Sequence, residues 1–535
     1  VSFFKKIGIL VPLILLLSFC RKPNIASWDV DIVLPVVTSQ LNIKNFLGDS
    51  IFKSDNTGLL NLSVTRTITA IKLDSLIKLP DTTIKNSFIT VFPGLINPGQ
   101  AIPIPVPQAE LTFSISNGVA LKRTDLRSGS LTVKFINEVN QPLKILFVIP
   151  SAVKNGKPFT IREIVPLADV TMTPAVNGTL TKTYDFSGFS LNMMGLNGTT
   201  YNTIVQTYTI AVDSNAAGPA NVPFGKGATM ELNYANVVPD YVEGYFGQQT
   251  VAIPLDTTQL ELIKNFQASN FMLSSATLDF KILNEFGAEF SANLSNIKSI
   301  NGTSVVALGT TQLSNINLNR ASKVGTTVYP SVKTISLTNN NSNIVPFLSN
   351  LPNKVTFQGS IGVNPLGNIS GYNDFAFYNT GIKVLADINI PFKFNANYFK
   401  LVSNTKVDFA NVTSLDKVNS GKFIISANNG YPFSTRLQAY LLDEQGQKID
   451  SLFVINSNVL QPGRVDAQNV VVEAIKSSIE MSIDKSKIQN LKKSKLIRIE
   501  TYFIMPPNPP DIKIYENYSF DVNIVAELNY NVERK

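Results

Sequence analysis

Histidine is absent from the 535 residues, and cysteine occurs once, at Cys20. Without imidazole there is no Ser-His-Asp or Cys-His relay, no His-ligated zinc and no His general base, because each needs a group that titrates near neutrality. Charge is sparse at 16%, and the formal +8 is diffuse, with two of the positive charges at Lys5 and Lys6. That is too thin for a nucleic-acid footprint. Tryptophan also occurs once, at Trp28. After Phe19 no apolar run matches the one at the start, so the remainder is expected to be soluble. What is present is 44% hydrophobic residues with 30 Gly and 29 Pro spread along the chain. This excludes a disordered, collagen-like or coiled-coil protein, and the length suggests three or four domains.

Lys5-Lys6 followed by the apolar stretch Ile7 to Phe19 has the layout of a secretory signal, and thirteen residues are too few to span a bilayer core as a helix. Leu17-Ser18-Phe19-Cys20 resembles a bacterial lipobox, with Phe19 where a small residue is usual. The resemblance implies a signal peptide over 1–19, lipidation at Cys20 and a tether over 20–29. Arg21-Lys22-Pro23 lacks the acidic run of a surface-export signal, so the expected address is the periplasmic face of the outer membrane. Such an anchor makes the membrane one partner.

Short runs alternate apolar and polar residues, as in Leu131-Thr132-Val133-Lys134-Phe135, between turns rich in Asn, Gly, Ser and Pro. They predict an all-β, mainly antiparallel fold of tandem β-sandwich-like units. The few short helical signals include Ser486-x-x-Gln489, with the form of a capping box, and Thr258-x-x-Glu261. Self-similarity supports duplication. Lys134 to Val139 matches Lys281 to Phe286, and Ala427 to Phe433 holds the same place later; each reads as a strand entering an Asn-containing turn, where Asn tolerates positive φ. Asn202 to Val212 matches Asn353 to Val363, and Phe377 to Ile388 matches Ile514 to Leu528. Leu34-Pro35 to Phe46 echoes Ile253-Pro254 to Phe266. The units read as 30–250, with an insertion at about 55–127, then 251–385 and 386–535. Ile102 to Pro107 and Pro506 to Pro510 read as stiff proline segments.

Trp28-Asp29-Val30-Asp31, Leu76 to Thr83, Gly244-Tyr245-Phe246-Gly247 and the Asn-Glu-Phe-Gly hairpin resemble uncharacterised cell-envelope lipoproteins of the Bacteroidota. The hairpins are also similar to the immunoglobulin-like β-sandwich of the LEA type 2 domain. Neither resemblance implies an activity.

Candidate sites are few. Asp29 and Asp31 have i, i+2 spacing, which strand alternation produces by chance, and Asp443-Glu444-Gln445-Gly446 reads as a hairpin turn instead of a calcium loop. Gly225-Lys226-Gly227 lacks the phosphate-loop spacing. Glu138, Glu243 and Glu285 are the carboxylates available for histidine-free chemistry, but Glu138 and Glu285 are repeat equivalents, which favours a turn role. The basic stretch Lys485, Lys487, Lys492, Lys493, Lys495 and Arg498 has no interleaved aromatics and reads as the solvated face of a short helix, with contact to anionic lipid headgroups the other reading. Tyr241, Tyr245 and Phe246 form an aromatic cluster, a candidate ligand platform if they are not core. Ser75, Thr82, Thr257 and Ser451 lie in Asp-Ser/Thr triplets that resemble the O-glycosylation motif of exported Bacteroidota proteins.

The expectation is therefore a non-enzymatic, lipid-anchored envelope protein that works as a binding or scaffolding module. It needs no cofactor or metal and binds no nucleic acid, and it is an accessory to an outer-membrane assembly through an unidentified protein partner. Two alternatives stay open: a glycan-binding surface lipoprotein, and a periplasmic carrier of lipid or another apolar ligand.

Overall fold

The computed structural model describes residues 27–43, 52–104, 107–259, 267–409, 415, 417–452, 459–505 and 511–533. The fold is all-β and antiparallel, with short helices at Leu73–Leu76, Ile344–Ser349 and Lys485–Lys493 among the described residues. Alternating burial along Thr277–Asn284 and Leu496–Ile504 shows why: every second side chain enters the core, apolar except for Asn284 and Thr501, and its neighbours face outward.

Three sandwich-like units share one strand order. In the terminal unit one sheet runs Ser27–Leu41, Phe520–Glu533, Val418–Asn429, Ile475–Ile483. In the middle unit the corresponding four are Leu60–Lys72, Gly381–Pro391, Thr277–Asn284 and Ser331–Leu337. In the distal unit they are Thr82–Ile89, Gly227–Tyr245, Ala120–Asn137 and Gly178–Asp185. Each set reads as an opening strand, a closing strand, a strand ending in Asn and a return strand. The second sheets also correspond: Tyr398–Lys406, Leu496–Ile504, Ser434–Leu442, Lys448–Ser451; Gln249–Gln259, Lys354–Val363, Phe290–Asn301, Ser304–Ala307; and Gln108–Thr112, Thr203–Val212, Leu143–Lys154, Lys157–Val165. Ser190–Asn192 bonds to both Ala120–Asn137 and Leu143–Lys154, joining the two sheets of the distal unit.

The units are nested. The chain lays down the opening strand of the terminal, then the middle, then the distal unit, completes the distal one, and returns to finish the middle and terminal ones. The strand sets therefore do not follow the contiguous segments 30–250, 251–385 and 386–535. The stretch read as an insertion at 55–127 holds the opening strands of the middle and distal units. Local pattern marks a strand but not the distant strand that bonds to it, so Ser27 pairing with Glu533 left no local signal.

Two repeat matches fall on topologically equivalent strands: Thr203–Val212 with Lys354–Val363, and Gly381–Pro391 with Phe520–Glu533. The Leu34-Pro35 and Ile253-Pro254 echo does not. Ser27–Leu41 opens the terminal unit, whereas Gln249–Gln259 is an edge of the middle unit's second sheet. Both prolines lie at register shifts, where a missing N–H is tolerated.

The repeated asparagine works through its side chain. None of Asn137, Asn284 and Asn429 has positive φ, contrary to the turn reading. Asn137 Nδ2 donates to Gln141 O and Pro166 O, both at 2.8 Å, and its Oδ1 accepts from Val139 N at 2.8 Å. Asn284 makes the same three bonds to Ala288 O, Asn319 O and Phe286 N, and Asn429 to Phe433 O, Gln461 O and Tyr431 N. All three are buried. Each amide closes its hairpin and ties it to a loop some thirty residues on.

The units stack head to tail. Asn429 pairs with Phe520 at one end of the terminal unit, and Ser27 pairs with Glu533 at the other. The Asn429 end meets the middle unit, where Leu60 N donates to Ile514 O and Ile514 N to Phe392 O. The Asn284 end meets the distal unit, where Asp374–Phe377 adds to the closing strand at Tyr241–Gly244. The Asn137 end, with the Gly227 turn, is left at the far tip.

Titration follows from composition. The Lys281 ammonium and the Thr65 hydroxyl hold the Asp387 carboxyl below its usual range, and Lys393 does the same for Asp511. Such carboxylates stabilise the fold above their unfolded value of about 4, and that contribution is lost as pH falls through the folded values. Burial pushes the Tyr234 and Tyr431 phenols up, so their contribution holds below about pH 10 and is lost in stronger alkali. No imidazole titrates between. The urea midpoint is expected to stay level from about pH 5 to 9 and to fall on both sides; a slope within that window contradicts this.

Candidate functional site

The expected aromatic cluster lies at the junction of the distal and middle units, and its three members separate there. Phe246 is fully buried and offers no face to a ligand. Tyr241 is buried as well, packed with Ala321 and Phe375. Its hydroxyl donates to Glu243 Oε2 at 2.5 Å and receives the Lys323 ammonium, which stands over the ring at 4.5 Å. Burial and the Glu243 carboxylate push this phenol above its ordinary value. Only Tyr245 keeps partial exposure, with its ring edge-on to Tyr372 at 6.1 Å.

Tyr372 stacks on Tyr201 at 4.2 Å between centroids, 11° from parallel. Tyr201, Tyr372 and Tyr245 thus form a half-exposed shelf. Sequence reading missed Tyr201 and Tyr372 because they come from loops of different units, 171 positions apart; the aromatic run Tyr372, Phe375, Phe377 and Tyr378 was the one local signal that pointed to Tyr372. Beneath the shelf Asp374 is wholly buried. Its Oδ2 accepts from Phe246 N at 3.0 Å and Asn364 Nδ2 at 2.8 Å, and Arg320 stands 3.9 Å from Oδ1. The carboxylate locks the junction that carries the aromatic rings.

A second concavity, of about 470 Å³, lies on the terminal unit's first sheet. It is lined by Thr38, Ser426, Asn428, Lys476, Ser478, Asp521 and Asn523, hydroxyl and amide groups suited to polar ligands. The middle unit holds a partly open apolar cavity of about 70 Å³ between its sheets, lined by Phe280, Leu294, Phe347, Phe357 and Ile388 among others. That is about half of the roughly 150 Å³ that admits one benzene ring, so it is too small for an acyl chain.

Cys20 lies outside the described residues, as does Glu261 of the shorter helical signal. Ser75 and Thr257 are exposed, while Thr82 and Ser451 are half-buried. The Thr82 hydroxyl donates to Pro80 O at 3.0 Å, and Ser451 O accepts from Lys487 Nζ at 2.6 Å. Asp29 and Asp31 accept from Asn531 and Asn529 across the strand pair, a ladder contact on the outer face. Glu138 pairs with Lys226 at 3.2 Å and Glu285 with Lys383 at 2.7 Å, equivalent turn positions that do not converge on Glu243. Asp443 Oδ1 accepts from Gln447 N in a tight turn. The helix Lys485–Lys493 buries Ile488 and Leu491 and is capped by Asp484, two residues before the Ser486 expected to cap it. No cluster of three or more metal-ligating side chains occurs among the described residues. No described helix is long and apolar enough to cross a membrane.

The chain is thus an all-β protein of three nested sandwich-like units. No family model and no curated protein matches it. Among solved structures it is similar to a putative secreted protein of Parabacteroides distasonis, at 13% identity and TM-score 0.27 over 52% of this chain and 82% of that one. A structure of the infectious bursal disease virus Gt strain aligns at 9% identity and TM-score 0.11, covering 91% of this chain and 85% of that one.

Proposed function

We propose that this is a lipid-anchored envelope protein that binds and scaffolds partners without catalysing a reaction, with the acyl chains on Cys20. The observation behind this reading is the head-to-tail stack. Ser27 and Glu533 lie side by side at one end, so an anchor seven residues before Ser27 holds that end within about 25 Å of the bilayer. The other units are carried outward, and tethering raises the effective concentration of any partner on the same membrane. The periplasmic face of the outer membrane is the address that fits the leader. The test is crosslinking and affinity capture from native membranes: a reproducible integral partner supports the reading, and recovery of the protein alone with bound sugar or lipid overturns it.

Glycan binding is the second reading, supported by the Tyr201, Tyr372 and Tyr245 shelf, since ring faces stack on sugars. Calorimetric titration with oligosaccharides, comparing Tyr372→Ala with the native chain, tests it. Carriage of an apolar ligand gains no support from a 70 Å³ cavity.

A further inference from the structure

The tip of the distal unit, farthest from the Ser27–Glu533 end, gathers three loops beside the Asn137 hairpin. Phe92 and Leu95 lie on one loop and Phe224 on the second, and they are 80%, 72% and 71% exposed. Leu167, Met172 and Val176, on the third, are exposed as well. Hydrogen bonds hold the loops together: Thr90 N donates to Lys226 O, Gly225 N to Thr90 O, Asn221 N to Asn140 Oδ1 and Ala168 N to Val139 O. Exposed large apolar side chains concentrated on one surface mark an interaction site.

We infer that this tip inserts shallowly into a lipid bilayer. Three features favour lipid over a protein partner. The apolar side chains project from three separate loops. Charge is sparse: residues 90–99 carry none and Lys226 pairs with Glu138, while the third loop keeps one exposed carboxylate, Asp169, which accepts from Thr171 N and Oγ1. The backbone is largely paired within the tip, with the Thr90 hydroxyl bridging Phe92 N and O, and Asp169 and Val176 exchanging both bonds. Burial in the headgroup region therefore desolvates few unpaired polar groups. If the anchor stands as proposed above, the bilayer touched by the tip is not the one that holds Cys20.

The test does not depend on acylation. A chain from Arg21 onward, which keeps every described residue, is floated with vesicles of phosphatidylethanolamine and phosphatidylglycerol. It is expected to float at low and high salt alike, because apolar insertion and not charge holds it. The pair Phe92→Ser and Phe224→Ser is expected to lower the floated fraction about tenfold or more while leaving the melting temperature unchanged, since both rings are exposed. A Phe92→Trp variant is expected to blue-shift its emission on vesicle addition. Failure of the native chain to float, which would leave the tip to a protein partner, overturns the inference. So does flotation that salt abolishes or that the serine pair leaves intact. Loss of acylation at Cys20 in cells would instead count against the anchor alone.

Discussion

A fragment of residues 80–247 is expected to fold by itself, whereas 249–391 is expected not to until a peptide spanning 57–76 is supplied in trans. The first fragment holds both sheets of the distal unit, from Thr82–Ile89 to the end of Gly227–Tyr245. The second holds the closing strand Gly381–Pro391 of the middle unit but lacks its opening strand, Leu60–Lys72, which pairs with it along its full length. Leu60, Leu62, Val64 and Ile71 are buried from that strand. At about 1.5–3 kcal/mol for each buried aliphatic side chain, their loss is comparable to the 5–15 kcal/mol that holds a typical domain together. Circular dichroism and amide exchange of the two fragments, with and without the peptide, read the outcome. A cooperatively folded 249–391 fragment would contradict the nested arrangement. The same logic makes the terminal unit last to form during synthesis, because its opening and closing strands are separated by nearly the whole chain.

Replacing the repeated asparagine is expected to destabilise each unit severely. Asn137→Ala removes three hydrogen bonds and leaves the carbonyls of Gln141 and Pro166 and the amide of Val139 without that partner in or beside the core. At about 1–3 kcal/mol for each polar group left unsatisfied, the expected cost is about 3–5 kcal/mol. Asn137→Asp does no better, because it sets a carboxylate against two carbonyl oxygens where an amide N–H₂ stood. Urea denaturation of the 80–247 fragment measures both variants. A loss below about 1 kcal/mol would show that the loop at Pro166 holds without the side chain. Asn284→Ala and Asn429→Ala are expected to behave alike in their own units, since their bonds repeat the pattern. The distal and middle closing strands supply a related constraint. They start at Gly227 and Gly381, where a Cβ would sit 2.0 Å from Phe88 O and 2.5 Å from Ile71 O. The opening strand crosses that closely, so only glycine fits.

Much of this was legible from residue order alone. Period-two alternation and turn chemistry specify antiparallel strands locally, and the Asn-centred repeat identified the hairpin that the fold uses three times. The chemistry excluded by missing imidazole also needs no coordinates. Tertiary structure decided the rest, for reasons of distance. Strand pairing joins residues up to 506 positions apart, as Ser27 with Glu533, and alternation says only which face a side chain takes, not which neighbour it meets. The aromatic cluster shows the same divide: Tyr241, Tyr245 and Phe246 fall within one short stretch of a strand and its end, yet the interior takes two of them. The half-exposed shelf is completed by Tyr201 and Tyr372, which only the docking of two units brings together.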